Sequence, residues 1–97
     1  ITFNEPKLMA EMLPVLIETA GADKTLERNA VTGAEDFSFF QKEVDGLYLF
    51  VGGRAKNISE KDAPDHHTPE FQIDESGMKL GVKLLSNLTI DYMNRHK

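Results

Sequence analysis

Cysteine is missing from the 97-residue sequence, and its absence excludes a disulfide framework and a thiolate metal site within the chain. No apolar run approaches the roughly 18 residues that a membrane span needs, so no membrane partner is expected. Acidic residues outnumber basic ones by 16 to 11, and the formal net charge is −5. Because the sequence has no basic patch of the kind that follows a phosphate backbone, nucleic acid is not expected as a partner either.

The length suits one small domain and not two. Hydrophobic residues make up 40% and charged residues 28%, an ordinary balance for a globular protein. The chain opens on Ile1 with neither an initiator methionine nor a signal-like segment, which is typical of a processed chain or of a piece of a longer protein. A cytoplasmic location is expected, and export stays open because the start of the parent protein is not seen.

Apolar residues recur at helical spacing near both ends of the chain. Residues 5–20 are predicted to form a helix that Asn4 caps and that Pro14 kinks. A second helix is predicted from its cap at Asp74 to about Asn94. Its main apolar face is expected to comprise Met78, Val82, Leu85, Leu88, Thr89 and Tyr92, widened by Leu84 and Met93.

The middle of the chain predicts a sheet. Residues 46–53 read GLYLFVGG, a continuous apolar run between glycines that is typical of a strand buried on both faces. Residues 26–31 are a second candidate strand, and residues 33–44 predict a short helix. Residues 54–72 show almost no periodicity, and loops of this length are usually functional or disordered. The order of elements predicts an α/β fold in which helices cover a mixed sheet.

The long loop contains two adjacent histidines, His66 and His67, with Asp65 before them and Pro69 after them. Neutral imidazole is the commonest metal ligand in proteins, and carboxylates often accompany it. Adjacent residues of an extended segment point to opposite sides, so only one of the two imidazoles is expected to reach a given ion. Pro69 stiffens the loop, which suits a ligand and a plain surface turn equally. The residue types alone favour a solvated loop over a metal site.

A second candidate site is the segment TGAEDF at 32–37, which combines Gly33 with the paired carboxylates Glu35 and Asp36. Gly33 allows close backbone approach or a positive φ, as a substrate-facing loop would need. The alternative is an ordinary helix start, because acidic residues in a first turn interact favourably with the helix dipole. On residue types alone, the helix start is favoured.

The order of these signals resembles the C-terminal end of the metal-dependent amidohydrolases, which include hippurate hydrolase, N-acyl-amino-acid amidohydrolase and the auxin-conjugate hydrolases of the aminoacylase and carboxypeptidase G superfamily. Their Gly-Ser/Ala-Glu-Asp-Phe motif reads GAEDF at 33–37 here, and their His-Ser/Thr-Pro-x-Phe motif reads HTPEF at 67–71. The opening ITFNEPKL resembles the family's return from an inserted dimerisation domain. The resemblance implies that residues 1–4 are this return segment and that residues 5–97 are the C-terminal half of a zinc-peptidase-like catalytic domain.

The resemblance also implies roles for individual residues. His67, aligned by the proline and phenylalanine that follow it, is the implied metal ligand, and His66 is implied to support it or to face solvent. Gly33, Glu35 and Asp36 are implied to line the substrate site. The implied cofactors are two divalent ions, zinc or manganese with cobalt also suitable, whose other ligands lie upstream of this chain. The implied partners are an N-acyl amino acid, the missing N-terminal half of the catalytic domain and a second copy in a homodimer.

The implied activity of the full-length protein is hydrolysis of the amide bond of N-acyl amino acids. A catalytic zinc site needs about three protein ligands, and this chain offers His67 alone with no catalytic residue, so by itself it is expected to be inactive. Two alternatives stay open. One is a metallo-dipeptidase or carboxypeptidase of the same superfamily, and the other is a non-catalytic module that binds a partner through exposed apolar edges.

Overall fold

The first element of the chain is a long helix, α1, which spans Pro6–Ala20 in a computed structural model that describes residues 1–97. Glu5 caps its start, because the Glu5 Oε2 atom accepts a hydrogen bond from the Leu8 N–H at 2.7 Å. The helix continues through Pro14. It ends at Gly21, whose φ of +97° is a conformation that residues with a side chain rarely adopt. The helix predicted over 5–20 is confirmed.

The last element is a second long helix, labelled α3, which spans Met78–Arg95. A 3₁₀ turn at Glu75–Gly77 leads into it. The side chain of Asp74 accepts a hydrogen bond from the Ser76 N–H at 2.9 Å, so the predicted cap acts on this turn and not on α3 directly. The predicted helix is confirmed, but it begins at Met78 and not directly after Asp74.

The two long helices pack against each other and run antiparallel. Near the end of α1, the Thr19 hydroxyl accepts a hydrogen bond from the Asn87 side-chain amide at 3.0 Å. Earlier in α1, Glu11 lies 2.7 Å from a ring nitrogen of His96, just beyond the end of α3. As the residue number rises along α1, the number of its partner falls along α3, which defines the antiparallel arrangement.

The core between these helices is small. Met12, Val15 and Leu16 of α1 lie on one helical face, because residues spaced by three and four positions lie above one another. Leu84 of α3 is buried with them, and these are the four buried residues among the 97. A core of this size leaves most of the apolar side chains of the chain in contact with solvent.

The face of α3 that packs is not the face that the sequence predicts. Leu84, expected only to widen the main face, is buried, whereas Leu85 is 70% exposed and Val82 is 68% exposed. Met78 is also exposed, and we call Met78, Val82 and Leu85 the outer face of α3. The helix carries apolar residues on two sides, and α1 covers only one of them. The prediction that the outer face is the packed one is wrong for this chain.

The predicted α/β fold is also wrong, because the structure contains no β-strand and all of its regular elements are helical. Residues 46–53 and 26–31, the two predicted strands, have no regular structure. No backbone group of residues 47–52 forms a hydrogen bond with another backbone group. A strand needs a neighbour to pair with, and the apolar run at 46–53 finds none within this chain.

Side chains from other segments hold the beginning of this apolar run instead. The Tyr48 N–H donates a hydrogen bond to Asn4 Oδ1 at 2.6 Å, so Asn4 acts here and not as the cap of α1. The side-chain amide of Gln41 donates to the Gly46 carbonyl at 3.1 Å and also contacts the backbone of Phe3. The start of the chain is thereby tied to Gln41 and Tyr48.

The remaining helical pieces are short. The helix predicted over 33–44 is reduced to one turn, α2, at Phe37–Phe40. Three-residue 3₁₀ turns occur at Ala22–Lys24 and Glu60–Asp62. No helix in the structure combines the length and the apolar character that are needed to cross a membrane.

Candidate functional site

The segment around the histidine doublet is a closed turn and not an extended loop. The Thr68 hydroxyl donates a hydrogen bond to the Asp65 carbonyl at 2.7 Å. The Phe71 N–H in turn donates to the Thr68 carbonyl at 3.1 Å. The first bond spans the doublet and the second closes the turn that follows it, so Thr68 takes part in both.

His67 has the most unusual backbone in this turn. Its φ is +63°, and it is the one residue other than glycine with a positive φ in the chain. Such left-handed residues are uncommon, although histidine occurs among them more often than most residue types. Residues in sparsely populated backbone regions cost free energy and cluster at functional sites. The backbone geometry therefore singles out His67 and not His66.

The two neighbouring imidazoles also have different surroundings. The His66 ring packs edge-on against Phe71, with ring centroids 4.8 Å apart and an interplanar angle of 87°. The side chain of His67 is exposed and forms no hydrogen bond, ion pair or ring contact. Both ring nitrogens of His67 are therefore open to an external ligand.

The third histidine, His96, is already engaged. Its ring stacks on Tyr92 with centroids 4.2 Å apart, and one ring nitrogen lies 2.7 Å from Glu11 Oε1. Sequence reasoning missed this pair, because the 85-residue separation of its partners gives no local signal. The contact joins the end of α3 to α1, so His96 has a structural role in this chain.

Glu35, a predicted substrate-site residue, is tied into the fold by both of its carboxylate oxygens. One oxygen accepts from the Phe37 N–H at 3.1 Å, and the other accepts from the Tyr48 hydroxyl at 2.8 Å. These hydrogen bonds favour the charged carboxylate, the Phe37 bond most strongly, and lower the pKa of Glu35. The same contact raises the pKa of the Tyr48 hydroxyl, because losing its proton would remove the bond to Glu35.

The other two predicted substrate-site residues are open to solvent. Asp36 is exposed and forms no side-chain hydrogen bond where it precedes α2. Gly33 does not have a positive φ, and a side-chain carbon built on it would meet nothing within 4 Å. Neither the positive φ nor the close backbone approach that would require a glycine at position 33 is found in this chain. No hydrogen bond or ion pair joins Gly33, Glu35 or Asp36 to His67.

An aromatic row beside Glu35 was not predicted. Tyr48 lies 5.8 Å from Phe37 and 5.4 Å from Phe50, measured between ring centroids. The guanidinium of Arg28 lies over the Phe50 ring at 5.0 Å. The alternation of Tyr48 and Phe50 is a signal that could have revealed part of this row, since residues two apart in an extended segment share a face.

The glycines after the apolar run allow segments of the chain to approach each other. A side-chain carbon on Gly77 would lie 2.7 Å from the Gly52 carbonyl oxygen, and one on Gly53 would lie 2.7 Å from the Ile73 side chain. The Asp74 N–H donates to the Gly53 carbonyl at 2.7 Å. In this structure, these glycines therefore serve internal packing in front of α3.

Comparison with known proteins finds relatives along nearly the whole chain. Thermostable carboxypeptidase 2 of Saccharolobus solfataricus is 33% identical over 95 residues, which cover 98% of this chain. Thermostable carboxypeptidase 1 of the same organism is 31% identical over 94 residues. IAA-amino acid hydrolase ILR1-like 5 of Arabidopsis thaliana is 30% identical over 92 residues, or 95% of this chain. The resemblance to the amidohydrolase family is confirmed.

These relatives are much longer than this chain. The aligned region spans 23% of the length of each carboxypeptidase and 21% of the IAA-amino acid hydrolase. No family model matches the chain. No solved structure matches it either.

A metal centre of the kind implied by the amidohydrolase resemblance cannot be completed by this chain. No group of three or more histidine, aspartate or glutamate side chains is placed to hold an ion, and a catalytic zinc site needs about three protein ligands. His67 fits the role of a single ligand, because its imidazole is exposed and unengaged.

Proposed function

We propose that this chain is part of a metal-dependent amidohydrolase that cleaves the amide bond of N-acyl amino acids, and that His67 is one of its metal ligands. The observation that carries the proposal is the environment of His67 within the HTPEF motif. Its imidazole alone among the three of the chain is free of ring contacts and hydrogen bonds, and its backbone has a left-handed conformation. The IAA-amino acid hydrolases among the relatives support an acylated amino acid as the substrate.

The proposal assigns limited roles to the residues of this chain. A bound divalent ion, zinc or manganese with cobalt also suitable, would supply Lewis-acid polarisation of the amide carbonyl. His67 would bind such an ion through a neutral ring nitrogen, and His66 would stay packed on Phe71 and support the turn. Glu35 would hold the 33–37 loop in place through Tyr48, whereas Gly33 and Asp36 would face the substrate.

The proposed partner of the chain is the remaining part of the catalytic domain. The two carboxypeptidases are about four times as long as this chain, since the chain spans 23% of each. The exposed outer face of α3 and the exposed Phe39, Phe40 and Val44 offer an apolar surface for that part. Large exposed apolar patches mark interaction sites in soluble proteins. A homodimer of the full-length protein is proposed on the family resemblance alone.

A second candidate activity is that of a carboxypeptidase or dipeptidase, which the two thermostable carboxypeptidases among the relatives favour. An amidohydrolase of this kind removes an acyl group from a single amino acid, whereas a carboxypeptidase or dipeptidase removes the C-terminal residue of a peptide. The test is to assay the full-length protein, loaded with zinc or manganese, on an N-acyl amino acid and on a dipeptide with the same C-terminal residue. Faster cleavage of the acylated compound supports the amidohydrolase. Faster cleavage of the dipeptide supports the peptidase, and cleavage of neither leaves a non-catalytic, partner-binding module as the better account.

A further inference from the structure

The left-handed backbone of His67 has an identifiable support in the next residue. The Thr68 hydroxyl donates to the Asp65 carbonyl at 2.7 Å, which closes the chain around the doublet. Threonine and serine hydroxyls commonly stabilise such local turns by bonding to nearby backbone groups. Pro69 has no N–H and disfavours a helical conformation for Thr68. The hydroxyl bond and the proline together limit the paths that the chain can take through His67.

We propose that Thr68 is a positioning residue, whose hydroxyl bond to Asp65 holds His67 in the left-handed conformation that keeps its imidazole free while His66 packs on Phe71. The proposal rests on the proposed role of His67 as a metal ligand. It adds a physical reason why His67, and not His66, is the imidazole that binds the ion. Without the hydroxyl bond, the uncommon conformation of His67 loses its nearest support. The two imidazoles, which are both exposed, are then expected to compete more evenly for an added metal.

The test uses the 97-residue chain and copper(II) iminodiacetate, a chelate that leaves coordination positions open for one exposed imidazole. Paramagnetic broadening of the ring signals of His66, His67 and His96 is followed by NMR as the chelate is added. The wild-type chain is expected to show broadening of His67 before His66 and His96. The intraresidue distance between the amide and α protons of His67 gives a second readout, because this distance is short at positive φ.

Three variants separate positioning from a general structural effect. Thr68→Val keeps the shape of the side chain but removes the hydroxyl, and it is expected to reduce the preference for His67 over His66 by about two- to tenfold, the change that loss of one hydrogen bond supports. Thr68→Ser keeps the hydroxyl and is expected to restore the preference. Thr89→Val is the matched control, because Thr89 also donates its hydroxyl to a carbonyl, that of Leu85, at 2.7 Å but lies far along α3.

Each outcome decides between the proposals. Loss of the preference and of the short amide-to-α-proton distance in Thr68→Val, with both kept in Thr68→Ser and Thr89→Val, supports the positioning role. If Thr68→Val keeps both features, or if Thr68→Ser loses them too, the hydroxyl does not position His67, while the proposed ligand role of His67 is unaffected. If the wild-type chain itself broadens at His66 first, or at neither residue, the ligand assignment fails and the positioning role fails with it.

Discussion

Two adjacent leucines of α3 offer a direct test of how the long helices pack. Leu84 is 9% exposed and faces α1, whereas Leu85 is 70% exposed and lies on the outer face of α3. Replacing Leu84 by alanine removes buried methyl and methine groups at about 0.8 kcal/mol for each carbon and leaves a cavity, so the free energy of unfolding should fall by roughly 2–3 kcal/mol. Replacing Leu85 by alanine should change it by about 0.5 kcal/mol or less.

Urea denaturation of the 97-residue chain, followed by the circular dichroism of its helices, measures both effects. A single small core supplies only about 3–5 kcal/mol of stability, so the Leu84 variant is expected to lose half of it or more. With a slope of about 1 kcal/mol per molar urea, the unfolding midpoint should drop by about 2–3 M. Equal losses for Leu84→Ala and Leu85→Ala, or a larger loss for Leu85→Ala, would refute the packing of α3 on α1 described here.

Three further predictions concern the chain by itself. Tyr48→Phe should raise the pKa of Glu35 towards its ordinary value, measured by NMR titration of the carboxylate, and an unchanged pKa would show that the hydroxyl does not bind it. Because folding lowers the pKa of Glu35, its ionised carboxylate stabilises the folded chain at pH values above its unfolded pKa of about 4.3. This stabilisation is lost as the pH falls through the pKa of Glu35 in the folded chain. Tyr48→Phe should therefore make the free energy of unfolding less dependent on pH in this acidic range. The 97-residue chain should not hydrolyse hippurate or N-acetyl amino acids even with added zinc or manganese, because it holds one candidate ligand, and chelator-sensitive turnover would contradict this. Because of its exposed apolar surface, the chain should self-associate as its concentration rises, and sedimentation that shows a strictly monomeric species at high concentration would count against this.

The two long helices could be predicted from the sequence because their signals are local. Apolar spacing and Gly21 are enough to define α1, and Asp74 marks the approach to α3. The packed face of α3 could not be predicted in the same way. Leu84 and Leu85 are adjacent and chemically identical, and only the position of α1 decides which of them is buried.

The sheet was predicted wrongly for a related reason. The apolar run at 46–53 has the composition of a buried strand, but a strand is a pairing of two segments, and a single sequence pattern does not provide the partner. In this chain no other segment pairs with residues 47–52, and Asn4 and Gln41 hold the beginning of the run through their side chains. Local composition therefore identified the apolar character of the run but not its neighbours.

The candidate site could likewise be predicted only in part from the sequence. The order of the motifs indicates the amidohydrolase family, and the register of Thr-Pro-x-Phe favours His67 over His66 as the implied ligand. The left-handed backbone of His67 and the packing of His66 on Phe71 were not readable from the sequence, since they depend on the hydroxyl of Thr68 and on the fold of the turn. The anchoring of Glu35 by Tyr48 joins residues that are 13 positions apart and was missed for this reason.

The most direct test of the proposed function is the metal content of two single variants of the full-length protein, His67→Ala and His66→Ala. Both proteins would be purified in the same way, analysed for bound metal by elemental analysis, and checked for folding by circular dichroism. We expect His67→Ala to lose metal and His66→Ala to retain most of it, because loss of a supporting residue typically costs about 10–100-fold in affinity or less. Loss of metal in His66→Ala alone would shift the ligand by one residue, and unchanged metal in both variants would contradict the metal site in this turn.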